Sequence, residues 1–240
     1  MSRKSVLLGI GILVFLVSGV AGTLVLLVRH EPDFYRKTSL PPGEVRQKKS
    51  LEFVKELTDV ISEIHGDQPT WRASFTEEQV NSYFDEDFIR SRVDETMLPA
   101  GFAAPRVAFE PEMIRLAFRY GKGAWSSIIS IDLHVWTTPE PNVVAVELQG
   151  LHAGSLPITA QSLLERFTEV ADRQNIKLTW YRLKGNPVAL LRFQADKDHP
   201  TFQLQWLNVK QGKLEFGGCS GEASPLSAML APSSLRPAGN

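Results

Sequence analysis

The sequence predicts an α+β protein: an N-terminal transmembrane helix followed by a long, twisted antiparallel β-sheet packed on amphipathic helices. Residues 5–28 form an uncharged, largely apolar run, which is typical of a membrane span. From residue 106 onward, apolar and polar side chains alternate with the period of two that marks strands, whereas residues 44–64 and 159–174 have a helical period. This order of helix, helix, meander, helix and meander favours an α+β domain whose sheet buries one face against the helix 159–174.

The run Ser5–Val28 is long enough to span a membrane. A hydrocarbon core of ~30 Å needs about 20 helical residues, and a cleaved signal peptide has a shorter apolar region of ~7–15 residues. The small residues Ser18–Gly22 fit a cleavage site, but apolar sequence resumes at Leu24 and leaves no polar region before the run ends. We therefore expect residues 1–30 to be retained as an anchor, followed by a proline-containing juxtamembrane linker at residues 31–43.

Charge excludes one class of partner but leaves the orientation open. Two basic residues precede the run and six follow it before residue 50. The positive-inside rule assigns this pattern to a cytoplasmic domain, but the rule weakens for long translocated domains. Without Arg3, Lys4 and Arg29 the chain has 23 basic against 27 acidic side chains, which argues against the strongly basic surface of a nucleic-acid-binding protein.

Residues 44–217 are predicted to form one domain, because their length and patterning suit a single core. Residues 218–240 are rich in Gly, Ser, Pro and Ala and are predicted to be a disordered tail. The single cysteine, Cys219, lies at the start of this tail, so no intramolecular disulfide can form. We expect an inert thiol there rather than a catalytic one.

Two helices are predicted before the strands. The first, Glu44–Ile64, carries an apolar stripe opposite its charges and ends at Gly66, which is expected to adopt the left-handed conformation. Basic side chains near its start leave binding to a membrane surface open, but the acidic residues after Leu51 favour packing on the domain. The second helix begins at Thr76, which is expected to form a capping box with Gln79. The stripe of the first helix consists of Leu51, Val54, Leu57, Val60, Ile61 and Ile64.

The strands are predicted from alternating side chains and from the turns between them. The longest runs from Trp125 to Thr137, and Pro139–Asn142 turns the chain so that the next strand pairs with it in the antiparallel sense. The turn Gly154–Pro157 is expected to end that strand and to begin the helix Thr159–Gln174. The other predicted strands are Met113–Tyr120, Val144–Leu148, Ile176–Leu183, Val188–Ala195, Phe202–Trp206 and Lys213–Phe216.

No motif for catalysis, metal binding or cofactor binding stands out. The five histidines are not at metal-ligand spacing, and Gly121–Gly123 is too short for a phosphate loop. Asp132 and His134 share a strand face, as an acid/base pair would, but the alternation places them on the wet face of the sheet. We interpret the acidic segment Asp196–His199 as a hairpin turn. The sequence thus favours a non-enzymatic protein with no cofactor and no metal.

The apolar face of the longest strand and the apolar stripe of the helix Thr159–Gln174 are predicted to face each other. A tight fit between them gives a filled core, and a loose fit gives a slot for a lipid, since small-molecule pockets are mostly apolar. The sequence leaves both interpretations open. The predicted ligand-binding side chains are Ile129, Ile131, Leu133 and Val135 of the strand and Leu163, Leu164, Phe167 and Val170 of the helix.

The order of motifs from Thr70 to Phe216 resembles the YpmS-like family of membrane-anchored bacterial proteins. The motifs are a threonine-capped helix that carries an asparagine and a Gly-x-Leu-Pro turn before a later helix. The resemblance implies a fold similar to one half of the tubular lipid-binding proteins, an extracytoplasmic domain and contact with lipid. It implies no catalytic residue, and it does not extend to the N-terminal helix or to the tail. The residues that carry it are Thr76, Asn81, Gly154, Leu156 and Pro157.

The resulting hypothesis is a single-pass membrane protein whose extracytoplasmic domain binds lipid or another apolar envelope component without catalysis. The alternative is a structural or scaffolding module of the cell envelope. Such a module would bind a partner protein through a sheet edge or through the helix Glu44–Ile64. The sequence does not indicate which protein that partner is.

Overall fold

The computed structural model describes residues 19, 22–38, 40–66, 69–123, 126–157, 164, 168, 177–193 and 202–220. Within them the helices are α1 (residues 22–29), α2 (Asp33–Lys37), α3 (Glu44–His65), α4 (Glu77–Asp85), α5 (Asp87–Arg90) and α6 (Val93–Met97). The strands are β1 (Thr70–Thr76), β2 (Phe102–Glu110), β3 (Met113–Tyr120), β4 (Ser127–Thr137), β5 (Val143–Ala153), β6 (Leu156–Pro157), β7 (Lys177–Leu183), β8 (Asn186–Arg192), β9 (Phe202–Lys210) and β10 (Lys213–Ser220).

The α+β class and a large antiparallel sheet are confirmed. Seven strands form the larger sheet in the order β2-β3-β4-β5-β8-β7, with β6 paired to β5. A smaller sheet has the order β1-β10-β9. The prediction of one sheet is wrong because β1, which the sequence shows only as a short apolar stretch, pairs with β10 from the far end of the described chain.

The predicted membrane span lies mostly outside the described residues. Of the run Ser5–Val28, the structure describes residue 19 and residues 22–28, all of them helical. Among the described residues, no helix has both the length and the apolar character needed to cross a membrane.

The last strand extends further than the sequence indicates. Gly217 to Ser220 belong to β10 and pair with β1 and β9, so the predicted start of the tail at residue 218 is wrong, and residues 221–240 lie outside the described residues. The glycines serve close packing here. A Cβ atom on Gly218 would lie 1.8 Å from the carbonyl oxygen of Gln203 and 2.6 Å from the ring of Trp71. Cys219 is buried.

Helix α3 forms where predicted, but only part of its stripe is packed. Val60 is buried against β1, whereas Leu51 and Ile61 are 62% and 47% exposed. The packed line is narrow because α3 lies on β1 and α4, with Phe53 and Ile64 beside Val60. The expected left-handed Gly66 is also wrong, since its φ of −85° is that of an extended residue.

Helix α4 begins directly at the end of β1, as the capping box predicts. The backbone N–H of Gln79 donates to Thr76 Oγ1 at 3.2 Å, and the N–H of Thr76 donates to Gln79 Oε1 at 2.8 Å. Both partners of the box are therefore confirmed. This junction fixes the direction in which α4 leaves the smaller sheet, and α4 then packs on β2 of the larger one.

Asn81 of α4 attaches the helix to the outer edge of β2. Its side chain, 1% exposed, accepts from the N–H of Val107 at 2.9 Å and donates to the carbonyl of the same residue at 2.8 Å. One turn earlier, Glu77 Oε2 accepts from the N–H of Phe109 at 2.9 Å, and the N–H of Gly212 donates to the Phe109 carbonyl at 2.8 Å. The backbone groups of Val107 and Phe109 are therefore satisfied without a neighbouring strand.

Asn142 makes the equivalent contact at the other end of the larger sheet. This residue lies in the turn between β4 and β5 with a φ of 58°. Its amide donates to the Phe202 carbonyl at 2.6 Å and accepts from the N–H of Leu204 at 2.8 Å, so it occupies the edge of β9. Two asparagine amides thus join the two sheets, one through α4 and one directly.

We expect Asn81→Ala to destabilise the protein by ~2–4 kcal/mol, because it leaves the buried N–H and C=O of Val107 without partners and each such group costs about 1–3 kcal/mol. Asn81→Asp should be similarly harmful, since a carboxylate cannot donate to the Val107 and Glu77 carbonyls that the amide contacts. Urea unfolding of the full chain measures the change. Asn208→Ala, a half-buried position within β9, is the control, and an equal loss in both variants would contradict the role of Asn81.

Candidate functional site

The structure brings part of the predicted apolar site together. Ile129 and Ile131 of β4 are buried in one cluster with Leu148 and Leu151 of β5, and Leu133 packs against this cluster. Leu164 contacts the same cluster and is helical, as the sequence predicts for residues 159–174. Three predicted strand residues and one predicted helix residue therefore lie together. Leu163, Phe167 and Val170 lie outside the described residues.

A row of side chains continues this apolar face toward β7. Val135 of β4 pairs directly with Val146 of β5, and Val146 pairs with Ala189 of β8. On its other side, Ala189 pairs with Trp180 of β7. Directly paired residues share a sheet face. The indole N–H of Trp180 donates to Thr168 Oγ1 at 2.9 Å. Val135 thus stands on the predicted face, outside the cluster of Ile131.

Trp180 is a site residue that the sequence did not reveal. The alternation of Trp180 with Leu178 predicts a strand, but it does not show which face of that strand contacts a helix. The hydrogen bond to Thr168, together with the packing of Leu164, shows that the helical segment contacts the face at two places. One lies over β4 and β5, and the other lies at β7.

The end of α1 is bound to the ends of β4 and β5. The hydroxyl of Ser127 donates to the Val28 carbonyl at 2.6 Å, and the N–H of Ser155 donates to the Leu27 carbonyl at 2.9 Å. Carbonyls in the last turn of a helix have no intrahelical partner. The ends of β4 and β5 supply these partners and so fix the end of α1.

Gly154 permits this close approach. Its φ is +60°, and a Cβ atom there would lie 2.2 Å from the Leu27 carbonyl oxygen and 2.5 Å from that of Val28. Any side chain at this position would collide with the backbone of α1. The glycine of the Gly-x-Leu-Pro turn therefore makes room for α1, and the turn continues into β6, which pairs with the end of β5.

Within the predicted linker, residues 31–43, the helix α2 packs on the larger sheet. Tyr35 of α2 is buried against Ala117 and Ile128, and its hydroxyl donates to the Ala104 carbonyl at 2.8 Å. The guanidinium groups of Arg106 and Arg119 lie 5.7 and 5.8 Å from the centre of its ring. Burial raises the pKa of Tyr35 above its usual value of 10.0. Pro32 directly precedes α2, and Pro41 and Pro42 lie just before the start of α3.

A polar cleft of ≈ 360 Å³ lies between this segment and the sheet. Asp132 lies in it, with its Oδ1 3.2 Å from Nε of Arg115. A Cβ atom on Gly150 would lie 2.8 Å from Asp132 Oδ2 and 3.0 Å from His152 Cε1, so these two side chains approach each other over the glycine. The cleft is lined by His30, Pro32, Asp33, Phe34, Arg115, Ser130, Asp132, His152, Gly154 and Ser155.

The structure separates the predicted pair Asp132 and His134 into different contacts. The partner of His134 is Glu147, with its Oε2 3.4 Å from Nδ1 of the histidine. Asn186 donates to Glu147 Oε1 at 2.8 Å, and this hydrogen bond, with smaller contributions from Gln149 and His134, lowers the pKa of Glu147. The polar face therefore carries paired charges. Among the described residues, no group of three His, Cys, Asp or Glu side chains is placed to hold a metal ion.

No family model, curated protein or solved structure matches this chain. The resemblance to the YpmS-like family therefore stays a prediction.

Gly154→Ala should release the segment after α1 from the sheet, since the new Cβ collides with two carbonyls of α1. We expect tryptic cleavage after Arg29 and Arg36 to become several-fold faster. Gel electrophoresis and mass spectrometry of the fragments measure this rate. Gly123→Ala is a matched control, because Gly123 has a similar φ of +56° but no atom within 4 Å of the added Cβ. Equal cleavage of the two variants would mean that backbone strain alone acts.

Asn186→Ala should make the protein less stable by ~1–2 kcal/mol at neutral pH, since it removes a hydrogen bond to a charged carboxylate. The folded state lowers the pKa of Glu147. The stabilisation is therefore complete above the ordinary pKa of about 4.5 and is lost as the pH falls through the lowered pKa. The difference between parent and variant should shrink in acid. Gln149→Ala removes only a 3.4 Å contact and is the control. A pH-independent difference in unfolding free energy would refute the assignment.

Proposed function

We propose that this chain is a single-pass membrane protein whose extracytoplasmic domain binds a lipid or another apolar envelope component without catalysis. The proposed site lies between the apolar face of β4 and the helical segment that contains Leu164. The observation that supports it is the position of this face relative to α1. Ser127, whose hydroxyl binds the Val28 carbonyl, lies two residues before Ile129, where the buried apolar cluster begins.

The dimensions of the face suit an acyl chain. From Ile129 to Val135 the strand advances six residues, or ~20 Å at about 3.3 Å per residue. Half of a ~30 Å hydrocarbon core is ~15 Å, which is the depth that one leaflet's chains fill. A chain that leaves the bilayer beside α1 would meet the apolar face at its membrane-proximal end. It would not have to cross the paired charges of the other face.

The anchor and the orientation are tested in the full chain. We expect the protein to stay in the membrane pellet after carbonate extraction and to retain its N-terminal residues. Phosphatase and fluorescent-protein fusions at the C-terminus report the side of the membrane. An active phosphatase fusion supports the extracytoplasmic assignment, whereas a fluorescent fusion with an inactive phosphatase reverses it. A soluble product that begins near residue 22 would exclude the anchor.

Leu164→Trp should block the proposed site, because the indole would fill space between the helical segment and the cluster of Ile131. We expect the parent to bind a fluorescent fatty acid and to carry co-purified lipid detectable by mass spectrometry, and the variant to lose most of both. Leu183→Trp, at an exposed position of β7, is the control. Lipid binding would be refuted if the parent bound no fatty acid and the variant lost ~1–3 kcal/mol of unfolding free energy. Such a loss is the cost of overpacking a core that is already filled.

The scaffolding alternative is supported by the exposed apolar residues of α3. Leu51 and Ile61 stand three turns apart on one side of that helix and are not covered by the domain. Photo-crosslinking from position 51 in cells tests this, with position 183, an exposed position of β7, as the control. A discrete adduct formed only from position 51, together with no lipid in the purified protein, would favour the scaffold.

A further inference from the structure

The end of the larger sheet that binds α1 carries an exposed aromatic side chain. Tyr120 ends β3 and pairs directly with Ser127, the residue that holds α1. Its ring centre lies 4.9 Å from that of Phe102, and a Cβ atom on Gly101 would lie 3.0 Å from the ring. The ring is therefore held in place on one side, yet the residue is 48% exposed.

The loop beside Tyr120 lacks acidic side chains, and Glu31, which lines a cleft with Ser127, is paired with Arg119 at 3.1 Å. The N–H of Gly121 donates to the Gly101 carbonyl at 3.0 Å, so the loop that leads from α6 into β2 lies at the same end of the sheet. Residues 97–105 of this loop and strand contain no charged side chain. Lys122, next to Gly121, is exposed and basic.

We propose that Tyr120 and Lys122, here called the terminal patch, rest on the lipid headgroups of the membrane that α1 enters. This inference rests on the proposed anchor. The uncharged residues 5–21 precede α1 in the sequence, and the end of α1 is bound beside Tyr120. Tyrosine side chains are enriched at the membrane–water interface. The ammonium of Lys122 supplies a charge that suits headgroup phosphates.

The attachment of α1 keeps the terminal patch facing the membrane. Two hydrogen bonds hold the α1 backbone against the ends of β4 and β5. Gly154 permits this close approach because it has no side chain. The turn between β9 and β10 lies at the level of Phe109, because the N–H of Gly212 binds that carbonyl. Through the pairs Phe109–Ile114 and Ile114–Leu133, this level is six residues along β4 from Ser127, or ~20 Å.

The depth of single labels in the full chain tests the proposal. Lys122→Cys and Gln211→Cys place a thiol at the terminal patch and at the exposed turn between β9 and β10, while the buried Cys219 reacts poorly. Each variant is labelled with a nitrobenzoxadiazole fluorophore and reconstituted in vesicles of phosphatidylcholine with a minor fraction of phosphatidylglycerol. We expect headgroup-spin-labelled lipid to quench the label at position 122 several-fold more than the label at position 211.

The outcomes separate the two proposals. Vesicle-bound protein with equal quenching at both positions overturns the terminal patch and leaves the anchor standing. Protein that does not float with vesicles and is released by carbonate overturns the anchor, and with it the patch. Selective quenching at position 122 that weakens in Tyr120→Ala supports the contact of the tyrosine with the headgroups, whereas selective quenching that persists unchanged in Tyr120→Ala overturns that contact.

Discussion

The outer edges of the two sheets impose the constraint on which the rest of the fold depends. An edge strand presents N–H and C=O groups that would otherwise pair with another chain. Here the edge of β2 is met by Asn81 and Glu77, and the edge of β9 is met by Asn142. Each asparagine amide presents an N–H donor and a C=O acceptor to its edge strand, the pair of groups that a neighbouring strand would offer. The side chains that protect the edges therefore also join the sheets.

This joining makes β5 the element that connects the smaller sheet with α1. At its start, the turn that contains Asn142 is bound to β9. At its end, Gly154 and Ser155 follow β5 directly and hold the backbone of α1. Eleven residues of extended chain separate these contacts, which is ~36 Å at about 3.3 Å per residue. The strand that borders the proposed lipid site thus carries the contacts of α1 at one end and those of the smaller sheet at the other.

Features encoded by neighbouring residues could be predicted from the sequence, and features that depend on distant partners could not. The capping box of Thr76 and Gln79 and the antiparallel strands of the larger sheet follow from local spacing. The pairing of β1 with β10 joins segments more than a hundred residues apart, so no local sequence pattern predicts it. Gly218 and the residues after it were predicted to be disordered from their composition. Composition does not show that the rings of Trp71 and Trp206 occupy the space beside the glycines of β10.

The same distinction applies to the candidate site. Alternation along β4 placed Ile129, Ile131 and Leu133 on one face, as found, but it assigned the other face to water. Instead, Tyr35 and the residues around it cover part of that face, and a buried tyrosine in a predicted linker has no periodicity to reveal it. The two faces consequently have separate tasks in the proposed function. The polar face binds the segment that contains Tyr35, and the apolar face between β4 and Leu164 is where the proposed lipid would bind.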